Sequence, residues 1–172
     1  CTLVAPVATT AKLTIGWDDR LSLRVNDDRP LDLGEQKFLK ARIVEVPLNS
    51  PDPFTSISKL AKYFDGRMVV GAGTVLSVQD VNMLKETGGT ISVSPDCNPD
   101  VISRAIALGL DALPGVFTPT EAFAAIRAGA QHLKLFPAEV ASPQTVKAWR
   151  AVLPKHIQVH AVGGVTPSNM TE

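Results

Sequence analysis

Residues 112–136 read ALPGVFTPTEAFAAIRAGAQHLKLF, and this stretch holds one complete repeat of the chain. Residues 112–116 are short and mostly apolar, as a strand covered on both faces requires. Thr118-Pro119-Thr120-Glu121 then opens a helix over 120–128, which Gly129 stops. A second strand, 132–136, follows at once. Strand, helix and strand within so short a span make a compact βα unit, and such units pair their strands in parallel through right-handed crossovers.

The same unit recurs on either side. Further strands are predicted over 42–48, 68–74, 90–94 and 157–162, and the six strand starts fall about 20 to 26 residues apart. Helices are predicted over 53–64, with Asp52 as cap, over 77–86 after Leu76, over 98–108 from Asn98-Pro99 to Gly109, and over 142–153 from Ser142-Pro143 to Pro154. Strict alternation means an α/β protein, and both a (β/α)8 TIM barrel and an open doubly wound sheet obey that rule. The barrel is favoured because residues with chemistry to offer stand at the C-terminal end of almost every strand. Glu45 and Asn49 go with the first, Gly71 and Thr74 with the second, Ser94-Pro95 with the third, Pro114-Gly115 with the fourth, Lys134 with the fifth and Gly163-Gly164 with the sixth. A doubly wound sheet concentrates its site at one switch point, whereas a barrel draws on every βα loop.

Residues 1–41 break the pattern and read as an atypical N-terminal segment ahead of a repeat domain over 42–172. Residues 12–17 and 20–25 alternate apolar and polar around Asp18-Asp19, which suggests a hairpin, and 29–40 could form a weak helix. First and eighth barrel strands are not recognisable, so the barrel is expected to be incomplete. The start at Cys1 and the polar end at Thr171-Glu172 read as the ends of a fragment.

Composition narrows the function classes. The 172 residues are 45% hydrophobic with 17 basic and 17 acidic side chains, so the formal net charge is zero. Balanced charge argues against nucleic acid or an anionic membrane as the main partner, and 5% aromatic residues leave little for base stacking. No apolar run approaches the ~20 residues of a membrane helix. Cys1 and Cys97 are too few for a disulfide framework, which makes a reducing cytoplasm the expected compartment.

Lys134 stands out. In His132-Leu133-Lys134-Leu135-Phe136-Pro137 the alternation of a strand turns Lys134 away from Leu133 and Leu135 and onto one face with His132 and Phe136. An ammonium held among apolar side chains loses hydration, its pKa falls, and the free amine can attack a carbonyl to form a Schiff base. A lysine snorkelling from a strand end is the plain alternative. Glu45, inside Ile43-Val44-Glu45-Val46-Pro47, is a carboxylate embedded in an apolar strand, and a lysine across a barrel lumen would partner it. Such a pair could be purely structural, or the carboxylate could shuttle protons for an imine reaction. Gly163-Gly164 precede Thr166 and Pro167, a predicted cap and first helical turn. Bare backbone N–H groups beside a helix start suit a phosphate, although Gly-Gly also makes an ordinary turn. His132 and His160 each sit in a predicted strand with no second His or carboxylate at ligand spacing and read as core or supporting histidines, so no metal site is expected. Cys97 reads as an ordinary small residue.

Several linked motifs then carry a resemblance: VEVPLNSP from Val44, GAGTVL at 71–76, SP at 94–95, PGVFTPTEA at 114–122, GAQHLKLFPAE at 129–139 and AVGGVTPSN at 161–169. In this order they resemble the KDPG/KDPGal aldolase family, class I aldolases that split 2-keto-3-deoxy-6-phospho sugar acids into pyruvate and glyceraldehyde 3-phosphate. The resemblance implies a TIM barrel, no cofactor, a phosphorylated keto-deoxy sugar acid as substrate and a homotrimer. It implies Lys134 as the Schiff-base lysine and Glu45 as the proton-transfer residue. Val162, Gly163 and Gly164 would line the phosphate side, and Thr74, Pro95 and Phe136 the pyruvyl pocket. Gluconate-type members look like LRTP after the glutamate; Leu48-Asn49-Ser50-Pro51 is similar instead to the 6-phosphogalactonate branch, which brings Asn49 toward the substrate. The family's opening AILRG-like strand and its last strand with a second phosphate loop have no counterpart here. Rival readings are a truncated relative without catalysis, the 6-phosphogluconate-specific aldolase, and a phosphate-binding barrel isomerase that gives Lys134 no nucleophilic role.

Overall fold

The structure is a computed structural model that describes residues 43–165. The hairpin and helix read in 1–41, and the helix start at Thr166-Pro167, lie outside the described residues. Strands β1 (Ile43–Pro47), β2 (Val69–Gly73), β3 (Ile91–Val93) and β4 (Asp111–Leu113) form one parallel sheet in that order. Strands β5 (Gly115–Val116), β6 (His132–Leu135) and β7 (Gln158–Ala161) form a second parallel sheet, also in chain order. Helices α1 (Pro53–Phe64), α2 (Val78–Glu86), α3 (Pro99–Ala107), α4 (Pro119–Arg127) and α5 (Pro143–Val152) fill the connections.

Two sheets stand where one run of strands is expected, and the predicted strand 112–116 is the place of the break. Pro114 has no N–H to give a ladder and divides it into β4 and β5. The carbonyl of Pro114 still accepts from Lys134 N at 2.9 Å, and Gly115 N turns to Asp96 O at 3.1 Å, so the sheets adjoin across the proline. Within each sheet every strand pairs with its neighbour in sequence and the order never reverses. A doubly wound sheet needs such a reversal. The observed class is α/β with two open parallel sheets.

The helix starts follow the capping residues. Ser77 Oγ accepts from Asp80 N at 3.1 Å while Asp80 Oδ2 accepts from Ser77 N at 3.0 Å, and Thr118 with Glu121 repeats the capping box on α4. Asn98 and Ser142 cap α3 and α5. Asp52 corrects the expectation: it precedes α1, but its backbone is left-handed at φ 46° and its side chain caps nothing. A side-chain N-cap requires an extended backbone, which aims the oxygen at the first-turn N–H groups. A short 3-10 turn, Ala138–Val140, is an addition that the Pro137-Ala138 sequence did not announce.

Alternation sorts the strand residues into two layers. Val44, Val46, Val70, Ala72, Leu133 and Leu135 pack with Ile57, Leu60, Val81, Leu84, Ile102, Ala105, Ala125 and Trp149 of the helices in the main core. Opposite positions on the strands, Ile91, Val93 and Leu113 with Ile43 and Val69, make a separate inner cluster. That inner face is where the polar side chains lie.

Candidate active site

Register brings the inner face together. Glu45 on β1 stands beside Gly71 of β2, and Gly71 beside Ile91 of β3. On the other sheet Lys134 of β6 stands between Gly115 of β5 and His160 of β7. Side chains of both sheets enclose one cavity of about 140 Å3, whose walls include Glu45, Lys134, His132, His160, Asp111 and Val162 among the apolar residues Ile43, Val69, Val93 and Leu113. Glu45 and Lys134, expected to face one another, line this same cavity.

Both ionisable groups are buried, each with 8% of its surface exposed. Burial pushes the Lys134 amine below the ordinary lysine range, because the ammonium loses water that its surroundings replace poorly; the Glu45 carboxylate acts in the opposite sense. Lys134 Nζ lies 4.5 Å from the centre of the Phe136 ring, two residues on along the same face. The result is a lysine with an amine more available at moderate pH than one on the surface, and a carboxylate within its electrostatic reach.

The remaining expected residues sit around the C-terminal ends of the strands. Thr74 follows β2 with φ 57°, a left-handed conformation that a β-branched residue rarely adopts and that points to a constrained position. Val75 N donates to Val93 O at 3.1 Å and the buried Ser94 Oγ donates to Val75 O at 2.8 Å, which fixes the loop bearing Thr74 against the loop bearing Pro95. Gly115 lets the backbone of Pro95 approach: a Cβ there would meet its carbonyl and, at 3.0 Å, the N of Asp96. Gly163 and Gly164 take φ 98° and 65°, and a Cβ on Gly163 would touch the Phe136 ring at 3.5 Å. Val162 is buried, lines the cavity, and is held by Val162 N to Leu135 O at 3.0 Å and Ala138 N to Val162 O at 2.8 Å. Asn49 is exposed on the turn after β1 and does not line the cavity.

One part of the site escaped the sequence reading. His132 Nδ1 and His160 Nε2 are 3.2 Å apart, a hydrogen bond within the wall of the Lys134 cavity, and burial together with His132 holds His160 below the usual imidazole range. Two histidines at inward positions of neighbouring predicted strands were the available signal. Among the described residues no group of three or more His, Cys, Asp or Glu is placed to hold a metal ion. Cys97 is half-buried, its Sγ donates to Glu121 O at 3.3 Å, and burial raises its thiol pKa, as suits a packing residue. No helix among the described residues is long and apolar enough to cross a membrane.

Fold and cavity define an α/β protein built of βα repeats, with a buried lysine and a buried carboxylate meeting inside the sheets. Residues 38–172 match the family model for KDPG and KHG aldolases, and the chain belongs to that family. It is 49% identical over 129 residues to a probable 2-dehydro-3-deoxy-6-phosphogalactonate aldolase of Rhizobium meliloti (strain 1021), a match covering 75% of this chain and 61% of the relative. To the 2-dehydro-3-deoxy-6-phosphogalactonate aldolase of Escherichia coli (strain K12) it is 46% identical, over 75% of this chain and 63% of the relative. A solved structure described as native KDPGal superposes with a TM-score of 0.72 at 46% identity, over 74% of this chain and 62% of the other. The chain thus spans about three-fifths of the length of these curated relatives.

Proposed function

We propose that this chain carries a class I aldolase centre that cleaves 2-dehydro-3-deoxy-6-phosphogalactonate to pyruvate and D-glyceraldehyde 3-phosphate. The observation that carries the reading is that Lys134 and Glu45, both buried, line one cavity. Lys134 Nζ attacks the C2 keto carbon, and loss of water leaves an iminium. The C4 hydroxyl gives its proton to Glu45, directly or through water, as the C3–C4 bond breaks. The bonding pair moves into C2=C3, the C=N pair returns to nitrogen, and the aldehyde departs. Glu45 returns the proton to C3, and water then hydrolyses the iminium to release pyruvate and free Lys134. The iminium is the electron sink, so the route calls for no metal or organic cofactor.

The other residues take supporting roles in this proposal. Thr74, Pro95 and Phe136 wall the pyruvyl end, while Val162, Gly163 and Gly164 line the phosphate side, where the two glycines keep the backbone bare. Asn49 approaches the substrate from the turn after β1. Residues 42–172 form the repeat domain behind a distinct segment 1–41, and the two parallel sheets are arcs of one (β/α)8 barrel. Unreversed strand order and a shared inner cavity support the barrel. Exposed Leu76 and Phe117, in the loops after β2 and β5, and exposed Val140, at the end of the 3-10 turn after β6, support burial in a homotrimer. We place the enzyme in the cytoplasm.

The galactonate substrate is favoured over the gluconate one by the Leu48-Asn49-Ser50-Pro51 sequence. Identity points the same way, at 46–49% to the two galactonate-named relatives against 31% to the 2-dehydro-3-deoxy-phosphogluconate aldolase of Pseudomonas aeruginosa. Pyruvate release from each sugar acid, followed with a coupled dehydrogenase, tests this directly. Faster release from the galactonate compound is expected; release only from the gluconate compound would reverse the assignment, and release from neither would refute the activity.

A further inference from the structure

Gly73 ends β2 directly beside the Glu45 side chain. Glu45 is paired with Gly71 in the ladder, and Pro47, two residues on, is paired with Gly73. The Glu45 carboxylate leans along its strand into the space that a side chain at 73 would fill. A Cβ built on Gly73 would lie closest to Oε2, 2.6 Å from Cδ and 2.9 Å from Oε1, where real contacts essentially never fall below 3.0 Å. All three near atoms belong to the carboxylate and none to backbone. Left-handed backbone does not explain this glycine, since its φ lies outside the range that excludes L side chains. Gly71 differs: a Cβ there would strike the Ile91 carbonyl, so its demand is one of strand packing.

We infer that Gly73 is a positioning residue whose missing side chain holds open the seat of the Glu45 carboxylate. The inference rests on the reading of Glu45 as the proton-transfer residue. A methyl at 73 leaves the β1–β2 ladder intact, including Leu48 N to Gly73 O at 2.9 Å, and displaces only the end of one side chain. Lys134 belongs to the other sheet, so its imine chemistry survives while proton transfer at C3 fails.

Pyruvate separates the two steps. Lys134 and pyruvate form the iminium with loss of water; the carboxylate then takes a C3 proton, the C–H pair becomes C2=C3, and the C=N pair moves to nitrogen. Reversal in D2O puts deuterium into the pyruvate methyl group. In Gly73→Ala, borohydride trapping of the pyruvate imine is expected to stay within about threefold of the unaltered chain, while methyl exchange falls tenfold or more, as loss of a placed base predicts. The double variant Gly73→Ala with Glu45→Asp draws the carboxylate back by one carbon–carbon bond, roughly 1.5 Å. It is expected to exchange faster than Gly73→Ala alone, a rescue that a merely structural glycine would not show.

Glu45→Gln is measured alongside. If Glu45→Gln loses exchange but Gly73→Ala keeps it within twofold, the seat at Gly73 is overturned and the role of Glu45 stands. If Glu45→Gln itself exchanges normally, the proton-transfer reading falls first. Should Gly73→Ala fail to fold, a double variant that also fails to fold would overturn the inference, because the clash would then not lie with the carboxylate.

Discussion

Leu133 and Lys134 are adjacent in sequence and face opposite sides of β6, so altering each should injure a different property. Leu133 is fully buried in the main core against the helices. Leu133→Ala removes buried methyl groups and leaves a cavity that the close-packed helix layer fills poorly, a change that costs about 3 kcal/mol. For a chain of this size each kcal/mol lowers Tm by roughly 2–4 °C, so the variant should melt about 6–12 °C lower by circular dichroism. Below its transition it should still form the pyruvate imine, since Lys134 keeps its ladder bond to Pro114 O. Lys134→Met should do the reverse, losing the imine while the strand stays in place. The pairing of faces with properties depends on register, because a slip of one residue would turn Leu133 inward and Lys134 toward the helices. A Leu133→Ala variant that melts within about 2 °C of the unaltered chain would refute the register and with it the placement of Lys134.

Trapping against pH reads the environment of Lys134. Burial lowers its pKa, so reactive amine should reach half its maximum below pH 10.5, the ordinary lysine value, and Glu45→Gln, by removing the charge that favours the ammonium, should move that midpoint lower still. A midpoint that rises in Glu45→Gln would contradict the shared cavity. His160 is held below its ordinary 6.5, so the unfolded chain binds its proton first as the pH falls. Stability should therefore drop as pH falls below about 6.5, and His160→Phe should flatten that part of a Tm–pH curve; an unchanged curve would count against the burial of His160. Thr118→Ala removes the α4 cap and should cost about 1 kcal/mol, or roughly 2–4 °C in Tm, with imine trapping unaltered.

Much of the architecture could be read from local signals. Pro53, Ser77, Asn98, Thr118 and Ser142 mark helix starts because proline suits a first turn and short oxygen-bearing side chains satisfy N–H groups that a helix leaves open, a matter settled within four residues. The strand alternation that turned Lys134 away from Leu133 is equally local, and the burial of both agrees with it. What was missed depends on chain distant in sequence. The division at Pro114 reflects how two sheets meet, the bond between His132 and His160 requires the β6–β7 register, and the fit of Gly73 to Glu45 arises only once β1 and β2 lie side by side. Asp52 shows the converse: a good capping residue fails where the turn before α1 holds it in a left-handed backbone.

The most direct test of the account is to incubate the chain with pyruvate, reduce with borohydride and locate the modified peptide by mass spectrometry. A stable adduct on Lys134, lost in Lys134→Met, is the predicted result. A folded chain that gives no adduct, or gives one on another lysine, would contradict the assignment of Lys134 as the nucleophile.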